Sequence, residues 1–162
     1  QQTILKRIFT ISQQLKIKYN NDWPLFIIVL NGAVVFANKL LSYLDPTVES
    51  ISIKVHSYDG LKSTGKISID HIAYNAIKNK SIVIIEDIVD SGLTLNFLKN
   101  ELLDNGARSV ECVTLLFKKS QYKYQNKPKY IGFNVGEEFV IGYGMDYNQA
   151  GRDLENIYKK IN

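Results

Sequence analysis

The chain has 162 residues, 45% hydrophobic and 22% charged, with a formal net charge of +4 and a single cysteine. That length fits one domain over residues 1–162, able to bury about two thirds of its unfolded surface, and the lone Cys112 excludes an intramolecular disulfide and a cysteine-based zinc site. Lysine and arginine are scattered along the chain, which argues against nucleic acid as a partner, and no apolar run or N-terminal signal pattern implies a membrane, so a cytoplasmic protein is expected.

Ile4, Ile8, Ile11 and Leu15 recur at helical spacing, which predicts an amphipathic helix from Thr3 to about Tyr19, closed by Asn20-Asn21-Asp22. Leu25 to Leu30 is apolar throughout and reads as a strand buried on both faces. Asn31-Gly32 and a helical pattern through Val35, Phe36, Leu40, Leu41 and Leu44 then complete a βα unit. Ile51 to Tyr58 alternates like a strand, and Asp59 to Asp70, polar and carrying Gly60 and Gly65, reads as a mobile loop. Ile82 to Ile85 is a second buried-type strand, followed by a helix marked by Leu95, Leu98, Leu102 and Leu103. Ser109 to Phe117, Tyr130 to Phe133 and Phe139 to Tyr143 are the remaining predicted strands, with Cys112 a core residue of the first of them. Alternating β and α elements imply a mostly parallel sheet with helices on both faces and ligands at the strands' carboxyl ends. No repeat, linker or low-complexity tract interrupts the pattern.

The most informative stretch is Ile82-Val83-Ile84-Ile85-Glu86-Asp87-Ile88-Val89-Asp90-Ser91-Gly92-Leu93-Thr94. Burying two adjacent carboxylates without cations costs several kcal/mol, so Glu86 and Asp87 are expected at the strand's end, facing solvent or metal. Ser91, Gly92 and Thr94 open the next helix, and free N–H groups at the positive end of a helix dipole bind anions, phosphate above all. Each half alone has an ordinary reading, as a solvated loop or an N-cap. Together they join a cation-binding acidic pair to a phosphate cradle, which suits a sugar phosphate.

This stretch resembles the phosphoribosyl pyrophosphate signature of the type I phosphoribosyltransferases, and its Glu-Asp-Ile-Val-Asp-Ser-Gly form is similar to the hypoxanthine-guanine branch. The resemblance extends from about Leu25 to Leu154 and implies an α/β fold with a mostly parallel central sheet flanked by helices, a small hood and a flexible catalytic loop. It implies that Asp90 acts as acid or base beside the purine N7, and that Glu86 and Asp87 hold the ribose hydroxyls directly or through Mg²⁺. The 5′-phosphate would rest on Asp90, Ser91, Gly92, Leu93 and Thr94. Leu30-Asn31-Gly32-Ala33 corresponds to the pyrophosphate loop, where relatives often hold a non-proline cis peptide and many carry lysine in place of Asn31. Ser57-Tyr58 corresponds to the flexible loop. Lys118 would donate to the purine 6-oxo group, Phe139 stack on the base, Val140 read its edge and Ile88 line it. In the Gly-Tyr-x-x-Asp-Tyr-Asn tail, Asp146 corresponds to the carboxylate near the base and a second magnesium, and Arg152 to the arginine reaching pyrophosphate.

From the residues alone, Lys118 also reads as a solvated strand-end lysine and Phe139 as core. The resemblance implies a purine salvage enzyme: hypoxanthine, and with it guanine, reacts with phosphoribosyl pyrophosphate to give the nucleotide (IMP or GMP) and pyrophosphate. It implies Mg²⁺ as cofactor, no protein-only metal site, and a homodimer or homotetramer. Alternatives are a transferase preferring xanthine or another base, and a non-catalytic regulator sensing phosphoribosyl pyrophosphate; a purely structural α/β domain would not need carboxylates at three strand ends.

Overall fold

The computed structural model describes residues 1–20, 22–57, 67–70 and 72–160. In chain order the elements are α1 (Gln2–Tyr19), β1 (Leu25–Leu30), α2 (Val34–Leu41), β2 (Ser50–Ser57), β3 (Ile67–Ile69), α3 (Tyr74–Ile77), β4 (Ser81–Val89), α4 (Leu93–Asp104), β5 (Ser109–Phe117), β6 (Tyr130–Asn134), β7 (Val140–Ile141) and β8 (Tyr158–Lys159). Six strands form one sheet in the order β3-β2-β1-β4-β5-β6, parallel except for the antiparallel edge strand β3.

The β-branched runs of β1 and β4 occupy the middle of this sheet because both of their faces are covered. On one face, Ile4, Ile8, Ile11 and Leu15 of α1 and Phe36, Ala37 and Leu40 of α2 pack on Phe26, Ile28, Val83 and Ile85. On the other, Leu95, Leu98 and Leu102 of α4 pack on Ile27, Ile53, Ile82, Ile84 and Cys112. The chain moves from β1 outward to β2 and β3, then returns to place β4 on the other side of β1. The connections leaving β1 and β4 therefore diverge to opposite faces, and a crevice opens between them at the carboxyl ends.

Four expectations need correction. The β4 strand continues past Ile85 through Glu86 and Asp87 to Val89, because Glu86 and Ile88 stay in register with Thr114 and Leu116 of β5. Ile67 to Ile69 are not loop: they pair with Val55 to Ser57 as an edge strand. The expected strand Phe139 to Tyr143 shrinks to Val140–Ile141, which pairs with β8 outside the main sheet. The helical pattern expected through Leu44 ends as α2 at Leu41. The mobile-loop expectation for residues 59–66, and Tyr58 before it, fall outside the described residues.

Candidate active site

Two adjoining cavities, of about 220 and 350 Å³, open at the carboxyl ends of β1 and β4 and share Val29, Leu30, Ile88 and Asp90 as walls. Glu86 and residues 90–94 line the first, and Asn31, Gly32, Asp87 and Lys118 line the second together with residues from the chain's last quarter.

The first half is built around a turn. Gly92 has φ +85° and caps α4, whose first N–H groups lack intrahelical acceptors and so can face an anion. A Cβ at Gly92 would lie 2.2 Å from the Tyr122 ring, so this position admits no side chain. The turn's carbonyls point away from the cavity: Val89 accepts from Lys118 N–H at 3.0 Å and Ser91 from Lys123 N–H at 3.1 Å. The segment after β5 thus braces the cradle from behind, leaving its donor side open.

Alternation along β4 inverts at its end. Ile82 and Ile84 face the α4 layer and Val83 and Ile85 the α1–α2 layer, but Ile88 joins the α1–α2 side and Val89 the α4 side. Leu116 and Phe117 of β5 shift in the same way, so the register survives. The slip delivers Ile88 to both cavities and roots Val89 in the core.

Glu86 and Asp87 open onto different halves of the crevice. Glu86 is 6% exposed and pairs with Thr114 inside β4, which corrects its expected place at the strand's end. Burial pushes its carboxyl well above the usual range, with the Asp87 charge adding to the rise. Burial likewise raises Asp87, against the opposing pull of the Ile88 N–H, which donates to Asp87 Oδ1 at 2.8 Å, and of the Arg152 charge. A cation placed beside these carboxyls would favour their charged form and oppose that rise.

Asp87 and the turn after β1 fit tightly. The Leu30–Asn31 peptide bond is cis, as the resemblance implied. A Cβ on Gly32 would lie 1.8 Å from Asp87 Oδ2, and one on Gly144 would lie 2.1 Å from the Gly32 carbonyl. Both glycines are present because backbone approaches backbone and carboxylate at contact distance.

The remaining wall comes from Lys118 after β5 and from residues 139–152 around the small β7–β8 sheet, the hood. Lys118 is 6% exposed, and its Nζ donates to Asp90 Oδ2 at 2.9 Å and to the Glu137 carbonyl at 3.4 Å, so it is not a solvated lysine. Phe139 is 48% exposed and meets Tyr147 edge-on at 5.6 Å, so it is not core. Val140 sits beside it in β7. Arg152 Nη2 pairs with Asp146 Oδ1 at 2.6 Å while Nη1 donates to the Gly144 carbonyl at 2.9 Å, and both residues line the second cavity. Ser57 ends β2, and Tyr58 is outside the described residues.

Asp87 and Asp146 thus bring hard oxygen donors to one cavity, a set suited to Mg²⁺ completed by water and substrate oxygens. Among the described residues, no group of three or more His, Cys, Asp or Glu side chains is close enough to hold a metal by itself. Sequence reasoning missed Met145 in the cavity wall and Gln121 beside Asp90; neither lies at a position the motifs mark.

Residues 1–148 match the family model described as phosphoribosyl transferase domain. The hypoxanthine-guanine phosphoribosyltransferase of Bacillus subtilis is 36% identical over 158 residues, 97% of this chain and 88% of that protein. The hypoxanthine-guanine-xanthine phosphoribosyltransferase of Tritrichomonas foetus is 37% identical, over 97% of this chain and 86% of its own. The crystal structure of a Bacillus anthracis hypoxanthine-guanine phosphoribosyltransferase with HEPES in the active site superposes with a TM-score of 0.88 at 30% identity, covering 99% of this chain and 95% of that one.

Proposed function

Because the chain belongs to the phosphoribosyltransferase family, in its hypoxanthine-guanine branch, we propose that it transfers the phosphoribosyl group of phosphoribosyl pyrophosphate to hypoxanthine and guanine, releasing pyrophosphate. The observation that carries this reading is the Lys118–Asp90 pair at 2.9 Å, standing where the two cavities meet. The 6-oxo group and N7 are neighbours on one edge of a 6-oxopurine, an acceptor beside a nitrogen that gains or loses a proton. A lysine ammonium and a carboxylate side by side match that edge.

In this reading the 5′-phosphate rests on the open N–H side of the turn 90–94, which orients the ribose across Asp90 into the second cavity. Phe139 offers its exposed ring to the base and Lys118 selects the 6-oxo acceptor. Asp90 manages the proton at N7 while N9 attacks the anomeric carbon, and its negative charge favours the positive charge developing on the ribose. Asp87, Asp146, Arg152 and the backbone of Asn31-Gly32 gather at the pyrophosphate end. Asp87 and Asp146 would hold Mg²⁺ there together with substrate oxygens, supplying charge for the leaving pyrophosphate, while Glu86 faces the other half of the crevice. The same reading carries a cytoplasmic enzyme assembled as a homodimer or homotetramer, which light scattering on the purified protein would test.

The hypoxanthine-guanine-xanthine relative supports a second substrate range that takes in xanthine as well. Assay with phosphoribosyl pyrophosphate, Mg²⁺ and each of hypoxanthine, guanine, xanthine and adenine decides. Turnover of hypoxanthine without adenine is expected, and Asp90→Asn should lower kcat by about 10²- to 10⁴-fold. Turnover of no purine, with phosphoribosyl pyrophosphate still bound, would make the protein a sensor instead.

A further inference from the structure

Gln121 lies in the segment that leaves β5, three residues after Lys118, and its side-chain amide faces the Asp90 carboxylate. Only one amide orientation makes sense there. With NH₂ toward Asp90 it donates to Oδ1 and approaches Oδ2 at 3.2 Å, whereas the reverse would set an oxygen against two carboxylate oxygens. Lys118 Nζ takes Oδ2 from the other side at 2.9 Å. The carboxylate is therefore held by two donors that belong to one turn.

That turn is rigidly tied to the phosphate cradle. Gln121 N–H closes it on the Lys118 carbonyl at 3.1 Å, and Lys118 and Lys123 N–H groups bind the carbonyls of Val89 and Ser91, which flank Asp90. Gln121 and Asp90 are thus joined through the backbone as well as through their side chains. The two donors differ in chemistry: the ammonium of Lys118 must be shared with a purine 6-oxo group when base arrives, while the amide of Gln121 has no such second claim. A neutral donor also orients the carboxylate without cancelling its charge.

We infer that Gln121 is the positioning residue of Asp90, holding its carboxylate toward the base after Lys118 turns to the 6-oxo group. The inference rests on the role of Asp90 given above. It is tested by steady-state kinetics of Gln121→Ala and Gln121→Glu with hypoxanthine and phosphoribosyl pyrophosphate, joined to NMR of the Gln121 side-chain NH₂ in the wild-type protein and in Asp90→Ala.

Gln121→Ala should lose roughly tenfold in kcat, the scale of one charge-assisted hydrogen bond, with KM for both substrates within about twofold. Gln121→Glu keeps the size and shape of the side chain but sets a carboxylate against Asp90, so it should lose more than Gln121→Ala. The NH₂ resonances should shift in Asp90→Ala. A Gln121→Glu enzyme with wild-type kcat would overturn the inference, since packing alone would then suffice. Unshifted NH₂ resonances in Asp90→Ala would overturn it through the contact itself. A wild-type protein inactive on every purine, whose Gln121 NH₂ nonetheless shifts in Asp90→Ala, would overturn the transferase reading and uphold the Gln121–Asp90 contact.

Discussion

Gly32 illustrates how the site is decided atom by atom. Because a Cβ there would overlap Asp87 Oδ2, Gly32→Ala must displace either the carboxylate or the Asn31-Gly32 turn. A misplacement on the ångström scale costs about 10²-fold in a positioned reaction, so kcat/KM should fall by about that factor while the melting temperature moves only a few degrees; kinetics and a thermal melt on one preparation check both. Lys118→Ala should cut kcat/KM for hypoxanthine by roughly 10²-fold, and it should shrink the preference for hypoxanthine over adenine, measured by competition. The family resemblance, and not the residues alone, brought Asp90, Lys118 and Phe139 together as candidates, and all three line the second cavity. Their environments were not legible in the sequence: a lysine at 6% exposure and a phenylalanine at 48% both reverse the usual placement of their kinds, and nothing local in the sequence marks Gln121.

Elements carry a different lesson. The α1 periodicity and the apolar runs of β1 and β5 were legible because each repeats one physical pattern over many residues. The far end of β4 was not, since the carboxylates that look like a strand terminus remain in the ladder wherever β5 supplies register. How α1 is fastened to that ladder is also tertiary: Glu111 of β5 accepts from Lys18 at the end of α1, from Lys129 at 2.8 Å and from Tyr19 at 3.2 Å. Burial pushes the Glu111 carboxyl up, but the hydrogen bonds from Lys129 and Lys18 outweigh it and leave it below its ordinary value of 4.5. A carboxyl lowered on folding stabilises above its unfolded value and loses that contribution as the pH falls through the folded one. Glu111→Gln should therefore lower the melting temperature by about 2–4 °C at pH 7, the scale of one partly exposed pair, and the gap to wild type should shrink as the pH falls below 4.5. Melts at pH 7 and in the acid range test this.

At the scale of the whole molecule, the crevice is closed by joining distant parts of the chain. The hood is pinned by Tyr143 N–H to the Leu154 carbonyl at 2.8 Å, Gly144 N–H to Arg152 at 2.9 Å and Lys160 N–H to Phe139 at 2.9 Å, and Gly144 in turn packs on Gly32. Removing residues 157–162 takes β8 from the hood but no strand from the six-stranded sheet. It should raise KM for the base by roughly tenfold, the scale of one or two lost hydrogen bonds, with a smaller change for phosphoribosyl pyrophosphate and a melting temperature within a few degrees; saturation kinetics for each substrate separates the two. By itself, the sequence determined the α/β class, the small-residue turn after an apolar strand and the residue types that line the crevice, because periodicity and motif are properties of contiguous residues. Only the tertiary structure decided that Glu86 and Asp87 face opposite halves of one crevice, that Lys118 and Gln121 both hold Asp90, and that residues 139–152 wall the second cavity. Those outcomes depend on which strands lie side by side and on where their pleat slips, and these are fixed by packing between segments far apart in the chain.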